Sequence, residues 1–153
     1  MEHLKFLKLL GTSVKELHPL IGNLVALRKL RLGQCNNLEV VRDDLFCIIS
    51  LEMLNLSRTK IKSIPTSIKQ AAQLSHLFLT GCKSLKSLPE LPPLLQSLEA
   101  GGCTSLKTVS SSSTAITQGW EEYIFYRGLH EKHICSNCPK LDENARSNIM
   151  ADA

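Results

Sequence analysis

One six-residue pattern recurs along this chain at a nearly constant step. LKFLKL starts at Leu4, LRKLRL at Leu27, LEMLNL at Leu51, LSHLFL at Leu74 and LQSLEA at Leu95. The steps are 23, 24, 23 and 21 residues. A unit of that length cannot bury its own apolar face and becomes stable only when stacked on copies of itself. A leucine-rich helix would not reset at this period. The chain is therefore constrained to a stack of short strand-led units.

The pattern LxxLxL is the signature of a leucine-rich repeat, and five copies in register make it a strong one. The fold class expected is α/β: a solenoid with a curved parallel β-sheet on the concave face and short helices, 3₁₀ turns or loops on the convex side. Inward leucines must carry its core, because aromatics make up only 5% of the chain. Apolar pairs at helical spacing mark the convex segments: Ile21 and Leu24, Leu45 and Ile48, Ile68 and Ala71. The proline-rich LPELPPLL (88–95) cannot form a helix and predicts an extended, shortened return path.

Eight residues after each repeat start stand Thr12, Cys35, Thr59, Cys82 and Cys103. After the strand the chain turns back, and this side chain points among backbone carbonyls that need donors. A hydroxyl or a thiol is small enough and can donate, the thiol weakly. Cys also tolerates an apolar interior. The cysteines are thus read as structural repeat positions and not as a disulfide framework. After Thr the next apolar residues fall at Val14 and Leu17 or Ile61 and Ile64. After Cys they come one residue later, at Leu38 and Val41, Leu85 and Leu88, Leu106 and Val109. The Cys class carries one extra loop residue.

Bulk composition excludes several classes. Hydrophobic content of 43% and charged content of 21% describe a globular chain. A formal charge of +4 over 153 residues does not imply nucleic acid. No apolar run approaches a membrane span, and the N-terminus shows no signal-peptide pattern. The reading is a cytoplasmic or nuclear protein with reduced thiols, with neither membrane nor nucleic acid as partner.

The domain reading is leucine-rich repeats over 1–109, a Ser-rich linker over 110–119, and an appendage over 120–153. The appendage begins with WEEYIFY, which gathers Trp120, Tyr123, Phe125 and Tyr126, and ends in a helical pattern at Leu141, Ala145 and Ile149 with Asp142 as N-cap. Met1 stands three residues before the first repeat, leaving Leu4, Leu7 and Leu9 uncovered. A solenoid needs caps, so the expectation is a tail of something longer or a truncated product.

The alternation of LxxLxLxxTxIxxLP and LxxLxLxxCxxLxxLP resembles plant intracellular immune receptors with a TIR domain, a nucleotide-binding domain and leucine-rich repeats. LSRTKIKSIPTSIKQAAQL and LTGCKSLKSLPELPPLLQSLEAGGCTSLKTV look like final repeats of that class. ICSNCPKLDENARSNIMADA is similar to the start of its post-repeat region, through Asn137-Cys138 and Lys140 to Ala145. The resemblance implies an interaction module that senses a pathogen effector or a guarded host protein and restrains the receptor through contact with its nucleotide-binding domain. The NAD-cleaving TIR domain and the nucleotide-binding domain of that class have no counterpart here, and no GxxxxGK[ST] loop occurs. No cofactor is implied.

Outward positions on the sheet are offsets two, four and six. Offset two gives Phe6, Lys29, Met53, His76 and Ser97, and offset four gives Lys8, Arg31, Asn55, Phe78 and Glu99. Lys8, Lys29 and Arg31 make a basic start; Met53, His76 and Phe78 make an apolar middle. Such a mixture suits a protein-binding face. His130, His133, Cys135 and Cys138 have zinc-like residue types, but four ligands within nine residues demand a very tight loop, and no metal is expected. The Asn55-Leu56-Ser57 sequon should stay bare without secretion. No Ser/His/Asp, Cys/His or paired-carboxylate arrangement is supported by spacing, so the chain is read as a non-enzyme. Two other functions compete. An extracellular ectodomain would show an LxGxIP line, which is missing. A substrate adaptor for ubiquitin ligation would need an F-box-like segment upstream.

Overall fold

The computed structural model describes residues 3–109 and the strand backbones at 124–127 and 131–134. Five short strands open the repeats: β1 (Phe6–Lys8), β2 (Lys29–Arg31), β3 (Met53–Asn55), β4 (His76–Phe78) and, beyond the two-residue β5 (Ser87–Leu88), β6 (Ser97–Glu99). Each pairs in parallel with the next repeat's strand, in unbroken register. Three later strands follow: β7 (Thr108–Val109), β8 (Ile124–Arg127) and β9 (Glu131–Ile134). The main sheet runs β1-β2-β3-β4-β6-β9-β8, with β9 parallel to β6 and antiparallel to β8. β5 and β7 form a second, two-stranded parallel sheet on the flank.

The period dictates this topology. Side chains alternate across a strand, so the central residue of each repeat strand points inward. Leu7, Leu30, Leu54, Leu77 and Leu98 align in one ladder. From Leu30 onward each is fully buried, as are Leu27, Leu32, Leu51, Leu56, Leu74 and Leu79 beside them. Burial of each such side chain is worth roughly 1.5–3 kcal/mol. Leu4, Leu7 and Leu9 are only partly buried against this core, at the β1 edge of the described residues.

Convex segments form 3₁₀ turns at Pro19–Asn23, Asp43–Cys47 and Thr66–Gln70, as the pairs at helical spacing predict. A unit of about 23 residues leaves room for a single turn there, so tight i→i+3 geometry replaces an α-helix. The first turn has Pro19 at its start, where the missing N–H costs nothing, and His18 Nδ1 accepts from the Leu20 N–H at 3.1 Å. The segment between β5 and β6 has no 3₁₀ helix. Its prolines impose an extended path that tucks Leu91 and Leu95 into the core.

After each strand the chain reverses through one residue in the left-handed region. These are Gly11 (φ 68°), Gln34 (62°), Arg58 (58°), Gly81 (73°) and Gly102 (74°), one per repeat, always at offset seven. Three are glycine, the residue that adopts this conformation without steric cost; Gln34 and Arg58 are held there by the stack. The linker reading over 110–119, the Asp142-led helix, and His130, Cys135 and Cys138 lie outside the described residues. For His133 only the strand backbone is described.

Candidate protein-interaction face

Two rows of side chains stand outward from the main sheet. The first pairs Phe6, Lys29, Met53, His76 and Ser97; the second pairs Lys8, Arg31, Asn55, Phe78 and Glu99. Lys8 and Lys29 are exposed, while Arg31, Met53, Asn55, His76, Phe78 and Glu99 are half-buried against one another. Ser97 differs, being buried to 6% exposure. Its backbone lies between His76 and position 132, because β9 extends the sheet past β6.

Several of these groups are already engaged. The Arg31 guanidinium lies over the Phe6 ring, 5.5 Å from its centroid, a cation–π contact of the kind worth about 0.5–1 kcal/mol at an exposed site. Phe6 itself is 44% exposed. His76 and Phe78 stack with centroids 6.5 Å apart and planes 23° apart. His76 Nδ1 is 2.8 Å from the Ser75 hydroxyl. Asn55 Oδ1 accepts the Ser57 N–H at 2.9 Å, which ties this side chain to the turn after β3. Between these residues lies a recess of about 330 Å³, lined by Lys29, Glu52, Met53, Ser75, His76 and Phe78. Glu52 reaches Arg28 at 3.3 Å along the same rim.

Behind the face, the Thr and Cys positions form a hydrogen-bonded column with a division of labour. Thr hydroxyls donate within their own repeat: Thr12 to the Leu9 carbonyl at 3.1 Å and Thr59 to Leu56 at 2.8 Å. Cys thiols donate across to the preceding repeat: Cys35 to Leu9 at 2.9 Å, Cys82 to Leu56 at 3.1 Å and Cys103 to Leu79 at 3.1 Å. Cys35, Cys82 and Cys103 are fully buried, and Thr59 nearly so; Thr12, in the first repeat, is exposed. Hydrogen bonding from the Cys103 side chain lowers the Cys82 thiol from its ordinary 9.0 to about 7 against the opposing effect of burial, with smaller help from Thr59 and the Arg58 backbone. Among the described residues no group of three or more His, Cys, Asp or Glu is placed to hold a metal ion.

The most exposed large apolar side chains lie off this face. Ile49 (71%), Leu94 (63%), Leu20 (62%) and Val25 (55%) stand on the return segments. They escape a sequence reading because they fall beside the inward helical-spacing residues and mimic core.

A family profile described as leucine rich repeat matches residues 25–83. The disease resistance protein RPS4 of Arabidopsis thaliana is 33% identical over 158 residues, covering 92% of this chain and 12% of that protein. The chain belongs to the leucine-rich-repeat family of plant disease resistance proteins. The disease resistance-like protein DSC1 of the same plant is 36% identical over 127 residues, covering 83% of this chain and 10% of its own length. These relatives are of the TIR, nucleotide-binding, leucine-rich-repeat type, and the chain spans about an eighth of their length or less. Among solved structures, the functional domain of InlJ from Listeria monocytogenes, titled as including a cysteine ladder, aligns with a TM-score of 0.49 at 16% identity, over 74% of this chain and 23% of that one. No helix among the described residues is long and apolar enough to cross a membrane.

Proposed function

We propose that the sheet face of this chain is the binding surface through which a plant immune receptor recognises a pathogen effector or a guarded host protein, and through which the receptor is held inactive against its own nucleotide-binding domain. The observation that carries this reading is the patch of Met53, His76 and Phe78 around a 330 Å³ recess, bordered by Lys29 and Arg31. An aromatic and thioether centre with a charged rim has the composition of a protein interface core. Its side chains are pre-positioned by the sheet and by their own stacking, which lowers the ordering cost of association. In this reading the chain acts by binding and not by catalysis, in the cytosol or nucleus, with no nucleic acid or membrane as partner and no cofactor.

The test is site-specific photo-crosslinking in leaf tissue, with a photoreactive amino acid at position 78 and, as the control, at position 49. A discrete adduct with another protein or with the nucleotide-binding domain, formed from position 78 alone, is the expected result. Adducts from position 49 alone would move the interface to the return segments and overturn the reading.

A further inference from the structure

A second surface, past the C-terminal ends of the strands, gathers positive charge. On the flank where the chain turns back after each strand, Lys62, Lys86 and Lys107 occupy one column. Their backbones are joined in a ladder: the Lys86 N–H donates to the Lys62 carbonyl at 3.1 Å, and the Lys107 N–H to the Lys86 carbonyl at 2.9 Å. Beside this column opens a cleft of about 570 Å³ lined by Asn36, Arg58, Thr59, Lys60, Gly81, Lys83 and Ser84. Arg58, Lys60, Lys62, Lys83, Lys86 and Lys107 are all exposed. The column's one acidic member is Glu39, in the repeat before Lys62.

Two ion pairs among the described residues form away from this flank. Arg28 meets Glu52 at 3.3 Å, and Arg42 meets Glu16 at 3.4 Å. Among the described residues, none of the six flank cations has an ion-pair partner. Cations at adjacent positions of neighbouring strands, about 4.7–4.9 Å apart in backbone spacing, repel one another. Arg58 adds a second unfavourable feature, its left-handed φ of 58° at a position where the next two repeats carry Gly81 and Gly102. The Arg58 side chain packs over Gly81, where a Cβ would stand 3.1 Å from Arg58 Cγ. Like charges gathered around one cleft, with a single acidic residue in the neighbouring column, favour an anionic ligand.

We propose that this flank binds a small polyphosphate, a ligand presenting two or more neighbouring phosphate groups. The cleft volume lies in the range of small-molecule sites. Its lining offers a guanidinium fork, two ammonium groups, the Asn36 amide and the Ser84 hydroxyl, a donor set suited to phosphate oxygens. The column of Lys62, Lys86 and Lys107 extends the field along the flank and draws anions in. A single-stranded nucleic acid fits less well, because such sites interleave cations with aromatic platforms. Among the aromatic side chains of the described residues, Phe6 and Phe78 belong to the sheet face, and Phe46 is buried.

The test is calorimetric titration of the 153-residue chain with sodium tripolyphosphate and with ATP in 150 mM salt. One saturable site is expected. Lys60→Glu with Lys83→Glu should weaken it at least tenfold, whereas Lys8→Glu with Lys29→Glu, an equal charge change on the sheet face, should alter it less than twofold. Lys60→Met with Lys83→Met should also weaken it, which guards against a folding defect in the charge-reversed pair; circular dichroism checks all three. Vesicles carrying a phosphatidylinositol bisphosphate, set against phosphatidylcholine vesicles, separate the two sources. Capture by the former that Lys60→Glu with Lys83→Glu abolishes assigns the phosphates to a lipid headgroup; tripolyphosphate binding without capture assigns them to a soluble ligand. The proposal is overturned by absence of saturation up to millimolar ligand or by equal losses in both charge-reversed pairs. It is equally overturned by more than tenfold tighter binding of a single-stranded RNA 12-mer than of tripolyphosphate.

Discussion

The Cys35 sulfur lies 2.9 Å from the carbonyl oxygen of Leu9, 26 residues earlier and one repeat away. That thiol does what the Thr59 hydroxyl cannot: Thr59 serves Leu56 in its own repeat, while a thiol reaches across the stack. The same relation joins Cys82 to Leu56 and Cys103 to Leu79. These contacts stitch successive repeats together below the sheet.

Removing one stitch should be measurable. Cys82→Ala deletes the bond to Leu56 but leaves that carbonyl its bond from Thr59. The expected loss is about 1–2 kcal/mol, from the net worth of a hydrogen bond and the lost sulfur volume. Urea unfolding checks it. An unchanged midpoint would show that the Thr59 bond alone suffices.

The core ladder sets a larger scale. Leu54 is fully buried between Leu30 and Leu77. Leu54→Ala should cost about 2–5 kcal/mol through the cavity it leaves. Leu7→Ala, in the partly buried first repeat, should cost distinctly less. Equal losses at the two sites, read by thermal melting, would contradict the burial gradient along the stack.

Thiol reactivity weighs access against acidity. The Cys82 thiol is lowered to about 7, so more of it is thiolate at neutral pH, yet it is fully buried. Cys47 is exposed. Access should win: iodoacetamide should label Cys47 within minutes in the folded chain and reach Cys35, Cys82 and Cys103 only after denaturation. Peptide-level mass spectrometry reads the order directly.

The left-handed turn gives a paired test. Arg58→Gly relieves a steric cost of roughly 1–2 kcal/mol but adds roughly 0.5–1 kcal/mol of chain entropy loss, so stability should match the parent or exceed it by up to about 1.5 kcal/mol. Gly81→Ala should destabilise by about 1–2 kcal/mol, since alanine would have to adopt φ +73° with its Cβ 3.1 Å from Arg58 Cγ. Differential scanning calorimetry on the two variants separates these outcomes.

Much of this architecture is legible from leucine spacing alone. The period fixes which side chain of each strand turns inward, so the Leu30–Leu54–Leu77 ladder and the two outward rows follow from counting. The donor column was also readable, because only small hydroxyls and thiols stand at offset eight. Which carbonyl each donor reaches was not, since that depends on side-chain length and on the rise between repeats. The left-handed column is masked in the sequence, because Gln34 and Arg58 hide a requirement that Gly11, Gly81 and Gly102 announce. Ser97 reads as a face residue by its offset, yet it is buried, and the strand paired beyond it, β9, has no repeat signature. The lysine column is invisible until the extra loop residue of the Cys repeats is allowed for: Lys62 stands at offset eleven, Lys86 and Lys107 at offset twelve.

The sheet face carries the functional account, and a pair of double variants tests it most directly. In a full-length receptor containing these repeats, Arg31→Ala with Phe78→Ala is compared with Leu20→Ala with Ile49→Ala, at matched protein levels, for binding to the nucleotide-binding domain and for effector-triggered cell death in leaves. The account predicts that the first pair weakens domain binding at least tenfold and alters the cell-death response, while the second leaves both near the parent. Loss confined to the second pair would place the interaction on the return segments and contradict the account.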